Sequence, residues 1–253
     1  MKIKHADYGE SGLNVPAMLY EARETTKRTT TIVGTDGNEL CDFDYSTDGY
    51  IFAVRPRPYQ NATGLAENAS EIVYCTDNHG RITEDRLTRK EVREQGRRYL
   101  VVTALVYHGN KLLLQNRSPD KDLDPDKLSA SAHGVAKELC FKSGGVRMTN
   151  ISYVSLTNLA LEMNEELRHG TNATPLVVRF WQGDESSLFA YAKEKLLNNP
   201  NEVWVVHPDW YQDVGYPLKD QAKPRTRLVA NAHFFSVQPP PISCSRPFPP
   251  TFS

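Results

Sequence analysis

Apolar residues recur along this chain in two registers. Over the first sixty residues they form short β-forming runs at 29–33, 40–45 and 50–54. Polar turns part them, Gly34-Thr35-Asp36-Gly37-Asn38 and then Ser46-Thr47-Asp48-Gly49. Short runs between Asp-Gly turns predict a β-meander. Pro56 and Pro58 close it, and the small polar stretch 60–70 reads as a linker. Residues 1–70 are thus expected to be a β-rich extension, either a cover or an oligomerisation element.

From residue 71 the runs lengthen. Residues 99–107 are almost continuously apolar, as a strand buried on both faces requires. His108-Gly109-Asn110 turns the chain into a second arm, 111–118, followed by a polar loop at 119–127. A small-residue stretch, 128–138, leads to a helix ending near Leu167. Residues 175–181 and 202–206 read as strands. Between them, 184–197 reads as an amphipathic helix, acidic at its start and basic at its end, in accord with the helix dipole. Pro208 suggests a short turn or helix over 208–211, and 227–237 a last element. The proline-rich tail, 238–253, should be extended or disordered. This alternation predicts an α/β fold, a mixed sheet between helices, over residues 71–237.

The helix ending at Leu167 carries the chemistry. Glu162, Glu165 and Glu166 stand three and four positions apart, on one side of the helix. Like charges at that spacing repel, unless a hard divalent cation held by oxygen ligands reverses the penalty. The competing interpretation is an ordinary solvated acidic face.

Composition narrows the function classes. Thirty basic against thirty-one acidic residues give a formal net charge of −1, so no bulk field advertises nucleic acid or an anionic membrane. Cys41, Cys75, Cys140 and Cys244 are scattered without a CxxC pair, which argues against a zinc ribbon and fits a reducing compartment. No apolar run approaches the roughly 20 residues that span a bilayer, and residues 1–5 lack a signal-peptide core. A cytoplasmic location is expected.

The order of elements then points further. An Asp-x-x-Gly turn (Asp77 to Gly80) precedes the long strand, the arm Leu112-Leu113-Leu114-Gln115-Asn116-Arg117-Ser118, the stretch around His133, Glu138, and Leu161-Glu162-Met163-Asn164-Glu165-Glu166. In this order the chain resembles the Nudix superfamily, nearest to its isopentenyl-diphosphate-isomerase-like branch. That family's box runs Gly, five residues, Glu, seven residues, then Arg-Glu-hydrophobic-x-Glu-Glu. Ala132 stands here at the glycine and Leu161 at the arginine, and residues 139–160 intervene where the pattern has seven. Arg147 and Arg168 are candidates to replace the missing arginine, and 140–157 reads as an insertion.

The resemblance implies an α/β/α sandwich with a mixed sheet, and a hydrolase of diphosphate-linked small molecules that depends on Mg²⁺ or Mn²⁺. It implies Glu162, Glu165, Glu166 and Glu138 as metal carboxylates, and Glu165 or Glu162 as catalytic groups. Arg117 and His133 would contact substrate, with Glu185 and Glu202 as alternative bases. A rival function is a Nudix-fold module that binds a ligand or protein without turnover. Isomerisation ranks lower, because Ser131 stands where those enzymes place a cysteine and residues 176–181 offer no glutamate pair.

Overall fold

The structure is a computed structural model that describes residues 15–58, 70–116, 128–167, 174–195, 198–206, 209–213 and 225–235. All of the linker stretch 60–70 except Ser70, the polar loop at 119–127 and the proline-rich tail lie outside these residues. A helix opens the described chain, α1 (Val15–Thr25), followed by β1 (Lys27–Val33), β2 (Glu39–Ser46) and β3 (Ile51–Pro56). Next come β4 (Ile72–Thr76), β5 (Ile82–Thr88), α2 (Arg89–Glu94), β6 (Tyr99–His108), β7 (Lys111–Leu113) and β8 (Gln115–Asn116). The small-residue stretch holds β9 (Leu128–Ser129), β10 (Ala132–Val135) and β11 (Cys140–Phe141), ahead of α3 (Ile151–Leu167). The remainder is β12 (Val177–Trp181), α4 (Glu185–Lys195), β13 (Glu202–Val206), β14 (Asp209–Asp213) and β15 (Arg225–Phe234).

One large mixed sheet runs β11-β1-β2-β3-β12-β13-β15-β6-β4-β5, with β7 and β10 also pairing β6 and β14 pairing β15. Its longest pairing is parallel, β15 against β6 from Arg225↔Tyr99 to Phe234↔His108. Alternation along the strands sorts side chains to two faces. Leu100, Val102, Ala104 and Val106 of β6 and Leu228, Ala230 and Ala232 of β15 share a core with Leu156, Leu159 and Met163 of α3. On the other face Trp181, Trp204 and Phe52 pack with Tyr20 of α1 and Leu188 and Tyr191 of α4. The chain is therefore a mixed α/β protein with helices on both faces of the sheet.

The first three strands form as the meander pattern indicates, and they join the main sheet: β3 pairs β12, and Ile32, Phe43 and Val54 belong to the core that holds α3. Residues 208–211 were expected as a turn or helix, yet Asp209–Asp213 is a strand, because β15 offers it a free edge from Arg225 to Val229. The stretch read as an insertion divides in two. Residues 151–157 extend α3 toward its N-terminus, and 139–148 form a hairpin turned by Gly144 and Gly145, both at positive φ. Its Cys140 and Phe141 pair with Val33 and Ile32 of β1, which ties the first strands to the rest. No helix among the described residues is long and apolar enough to cross a membrane.

Candidate functional site

Three asparagines set the position of α3. The Asn150 side chain accepts from the Tyr153 amide at 3.1 Å, closing the first turn of the helix. Asn158, buried mid-helix, accepts from the Lys137 amide (2.9 Å) and donates to the Lys137 carbonyl (3.2 Å), so it clamps the segment after β10 to the helix. Asn164 does the same for Leu176 just before β12, accepting from its amide at 2.8 Å and donating to its carbonyl at 3.2 Å. Asn158, Glu162 and Glu165 follow at i, i+4 and i+7 along one stripe. The clamp therefore fixes the Lys137 backbone one turn from Glu162 and two turns from Glu165.

Glu162 is 7% exposed and lies against the backbone of β10. A Cβ built on Gly134 would collide with the Glu162 carboxylate, so the seat exists only because residue 134 has no side chain. Burial, reinforced by the neighbouring Glu165 and Glu166 charges and opposed by Lys137 and Arg89, pushes the Glu162 carboxyl up to about 8. Glu166 accepts a hydrogen bond from Gln115 Nε2 (3.2 Å), and the same nitrogen donates to the Ser131 carbonyl at 2.6 Å. Glu165 faces the Lys137 ammonium, with Nζ 3.3 Å from its Oε2 and 3.2 Å from Oε1 of Glu71. Burial alone would lower the Lys137 pKa, but Glu165, Glu162 and Glu71 outweigh it and hold the ammonium raised.

Glu138 belongs to a different arrangement. Its carboxylate is fully buried, with Arg147 Nε 2.8 Å from one oxygen and Arg86 Nη2 2.5 Å from the other. The Arg147 guanidinium also lies 5.0 Å from the centre of the Tyr74 ring. The Tyr74 hydroxyl accepts from the Leu139 amide (3.0 Å) and donates to the Met148 carbonyl (2.7 Å), holding both arms of the hairpin. Two arginines neutralise Glu138, the residue expected as a further metal carboxylate, and through Arg147 it anchors the 139–148 hairpin. Of the two arginines considered as replacements for the box residue, Arg147 is the one paired with Glu138; Arg168 lies outside the described residues.

The other expected site residues separate. Gly134 faces α3, so His133 takes the opposite face of β10, as does Val135, which packs with Val73, Cys75 and Val92. His133, expected as a substrate contact, is registered against Thr103 on the face of β10 opposite Gly134. Arg117 lies outside the described residues. Glu202 is tied to Arg179 at 2.7 Å, and Glu185 to Asn231 at 2.5 Å with His233 at 3.3 Å. Both belong to the α4 side of the sheet, so neither joins the α3 carboxylates. Ser131 is fully buried; its hydroxyl accepts from the Val106 amide (2.8 Å) and donates to the Leu113 carbonyl (2.5 Å). Trp181 and Trp204 are core residues.

Lys137, Glu71, Arg89 and Asn158 are site residues the spacing of the acidic motif does not name. Arg89 opens α2, its charge acts on Glu162, and its Nε is buried with no hydrogen-bond partner among the described residues. A signal was present for one of them: Lys137 directly precedes Glu138, in the stretch already singled out. The rest depends on pairing between distant strands.

Three features bear on whether a divalent cation suits this place. The donors are all carboxylate oxygens, the set a hard cation prefers. Gly134 supplies a seat that any side chain would fill. A cation of the chain's own, the Lys137 ammonium, already stands beside Glu165. Carboxylate oxygens are the donor type that Mg²⁺ and Mn²⁺ take, and among the described residues no three His, Cys, Asp or Glu groups are gathered so as to hold a metal ion. No protein-family model matches the chain, and no curated protein matches it.

Proposed function

We propose that this chain is a Nudix-type hydrolase that cleaves the diphosphate linkage of a nucleoside diphosphate derivative or related metabolite with Mg²⁺. The observation that carries the reading is the seat of Glu162 on Gly134, which brings the middle carboxylate of a three-glutamate helix face against the sheet. Glu162, Glu165 and Glu166 would hold the cation. When bound there, Mg²⁺ supplies charge neutralisation of the diphosphate and a more acidic water.

The chain's own residues contribute the rest. Gly134 and the α3 core keep Glu162 from moving, so its oxygens are placed before any ligand arrives. Gln115 orients Glu166. Glu165 is half-buried beside Lys137 and is the carboxylate positioned to accept a proton. Arg89 and Lys137 give the surroundings of Glu162 positive charge to meet an anionic substrate. The Ser131 hydroxyl is consumed between Val106 and Leu113, which leaves the isomerase reading without its proton donor.

A second reading has its own observation. Lys137 already offsets Glu165 without a metal, as a module that binds a ligand without turnover would allow. Incubation with nucleoside diphosphate sugars, dinucleotides, nucleoside triphosphates and prenyl diphosphates, with Mg²⁺ or with chelator, separates the two. Hydrolysis expects phosphate or nucleoside monophosphate only with Mg²⁺. Retained ligand affinity with no product across that panel would favour the binding module.

A further inference from the structure

Lys137 has two carboxylate partners on different elements. Its Nζ is 3.2 Å from Glu71, at the head of β4, and 3.3 Å from Glu165 on α3. Its backbone is held in both directions by Asn158, so the side chain pivots from a fixed point. Glu71 is fixed too, because its carbonyl accepts from the Arg89 amide at 3.0 Å where α2 begins. Two acceptors at nearly equal range, reached from one anchored stem, make a switchable ion pair. We propose that Lys137 is an internal counter-ion of the α3 carboxylates, which yields Glu165 to an incoming divalent cation and retires to Glu71.

The inference rests on the proposed cation site and adds a regulation to it. Without a divalent cation, Lys137 offsets the repulsion between Glu165 and its neighbours, so the helix keeps its place. The ammonium stands on Glu165 Oε2 and repels a cation arriving at the same carboxylate, so the ion pair opposes cation binding until Lys137 withdraws. Glu71 lowers the cost of the displacement by receiving the ammonium. Lys137 therefore weakens cation binding, while Glu71 strengthens it only as long as Lys137 is present.

Calorimetric titration of the full chain with Mg²⁺, and paramagnetic titration with Mn²⁺, read this without any substrate. Lys137→Gln should bind the cation about three- to tenfold tighter than wild type, the range a partly buried charge pair supports. Lys137→Arg, which keeps the charge, should stay close to wild type. Glu71→Gln should bind more weakly, and Lys137→Gln with Glu71→Gln should match Lys137→Gln alone. Circular-dichroism melts establish that each variant is folded, and if Lys137→Gln is not, the Glu71→Gln arm decides. Wild-type binding with unchanged or weaker binding by folded Lys137→Gln would overturn the role of Lys137. Equal loss from Glu71→Gln with and without Lys137 would overturn it as well. Absence of cation binding in every form would instead overturn the cation site itself, and this inference with it.

Discussion

The Glu162 carboxylate lies where the Cβ of residue 134 would be, so Gly134 and Glu162 form one unit drawn from β10 and α3. A glycine in a strand interior is intrinsically unfavourable by roughly 0.5–1 kcal/mol relative to alanine. Here the strand tolerates it because the space is filled by a carboxylate.

Gly134→Ala is therefore expected to push Glu162 off its seat. Overpacking of this kind costs about 1–3 kcal/mol, which a thermal melt reads as a lowered midpoint. Mg²⁺ affinity should fall with it. Combining Gly134→Ala with Glu162→Ala should recover most of the stability and none of the affinity. Such a recovery identifies the collision, rather than general damage to β10, as the cause.

Arg147 and Glu138 give a second test. Glu138 is fully buried, and Arg86, the other arginine beside it, has a largely exposed side chain. Arg147→Ala would leave a buried carboxylate poorly compensated, a loss of about 3–5 kcal/mol. The cation–π contact to Tyr74 would go with it. Denaturant melts should show Arg147→Met combined with Glu138→Gln to be milder than Arg147→Ala alone. The opposite order would show that the ion pair does not hold the hairpin.

Glu162 also makes stability depend on pH. Its folded carboxyl is pushed up to about 8 against an ordinary value of 4.5, chiefly by burial. Between those values the folded chain keeps a proton that the unfolded chain releases. This contribution is complete below about pH 4.5 and is lost as pH rises through about 8. In chelator, Glu162→Gln should flatten that decline and be the more stable protein at pH 8. The gain has an upper bound of a few kcal/mol, at roughly 1.4 kcal/mol per pKa unit. Added Mg²⁺ should narrow the gap by stabilising wild type alone.

Much of the framework was legible because its signals are local. The apolar run at 99–107, the Asp77–Gly80 turn and the Gly109 turn each carry their structure in consecutive residues, and they become β6, the turn between β4 and β5, and the turn between β6 and β7. The spacing of Glu162, Glu165 and Glu166 names a helix face, which α3 provides. Helix α1 was not legible: its Tyr20 is held by contacts with Trp181, Trp204 and Tyr191, far along the chain. Strand β14 was hidden for a similar reason, since its edge is supplied by β15. The surroundings of the carboxylates depend on register as well. Lys137 reaches Glu165 because Asn158 clamps its backbone, and His133 leaves the cluster because alternation sends it across the sheet. No spacing rule along a single helix contains either fact.

The central claim is that the α3 glutamates bind a divalent cation and use it to split a diphosphate. The most direct measurement is product release from a diphosphate substrate as Mg²⁺ is titrated, comparing wild type with Glu166→Gln. Wild type should show saturable, chelator-sensitive turnover, and Glu166→Gln should lose about a hundredfold or more, as for removal of a group that acts in the transition state. Turnover by Glu166→Gln equal to that of wild type, or wild-type turnover indifferent to Mg²⁺, would contradict it.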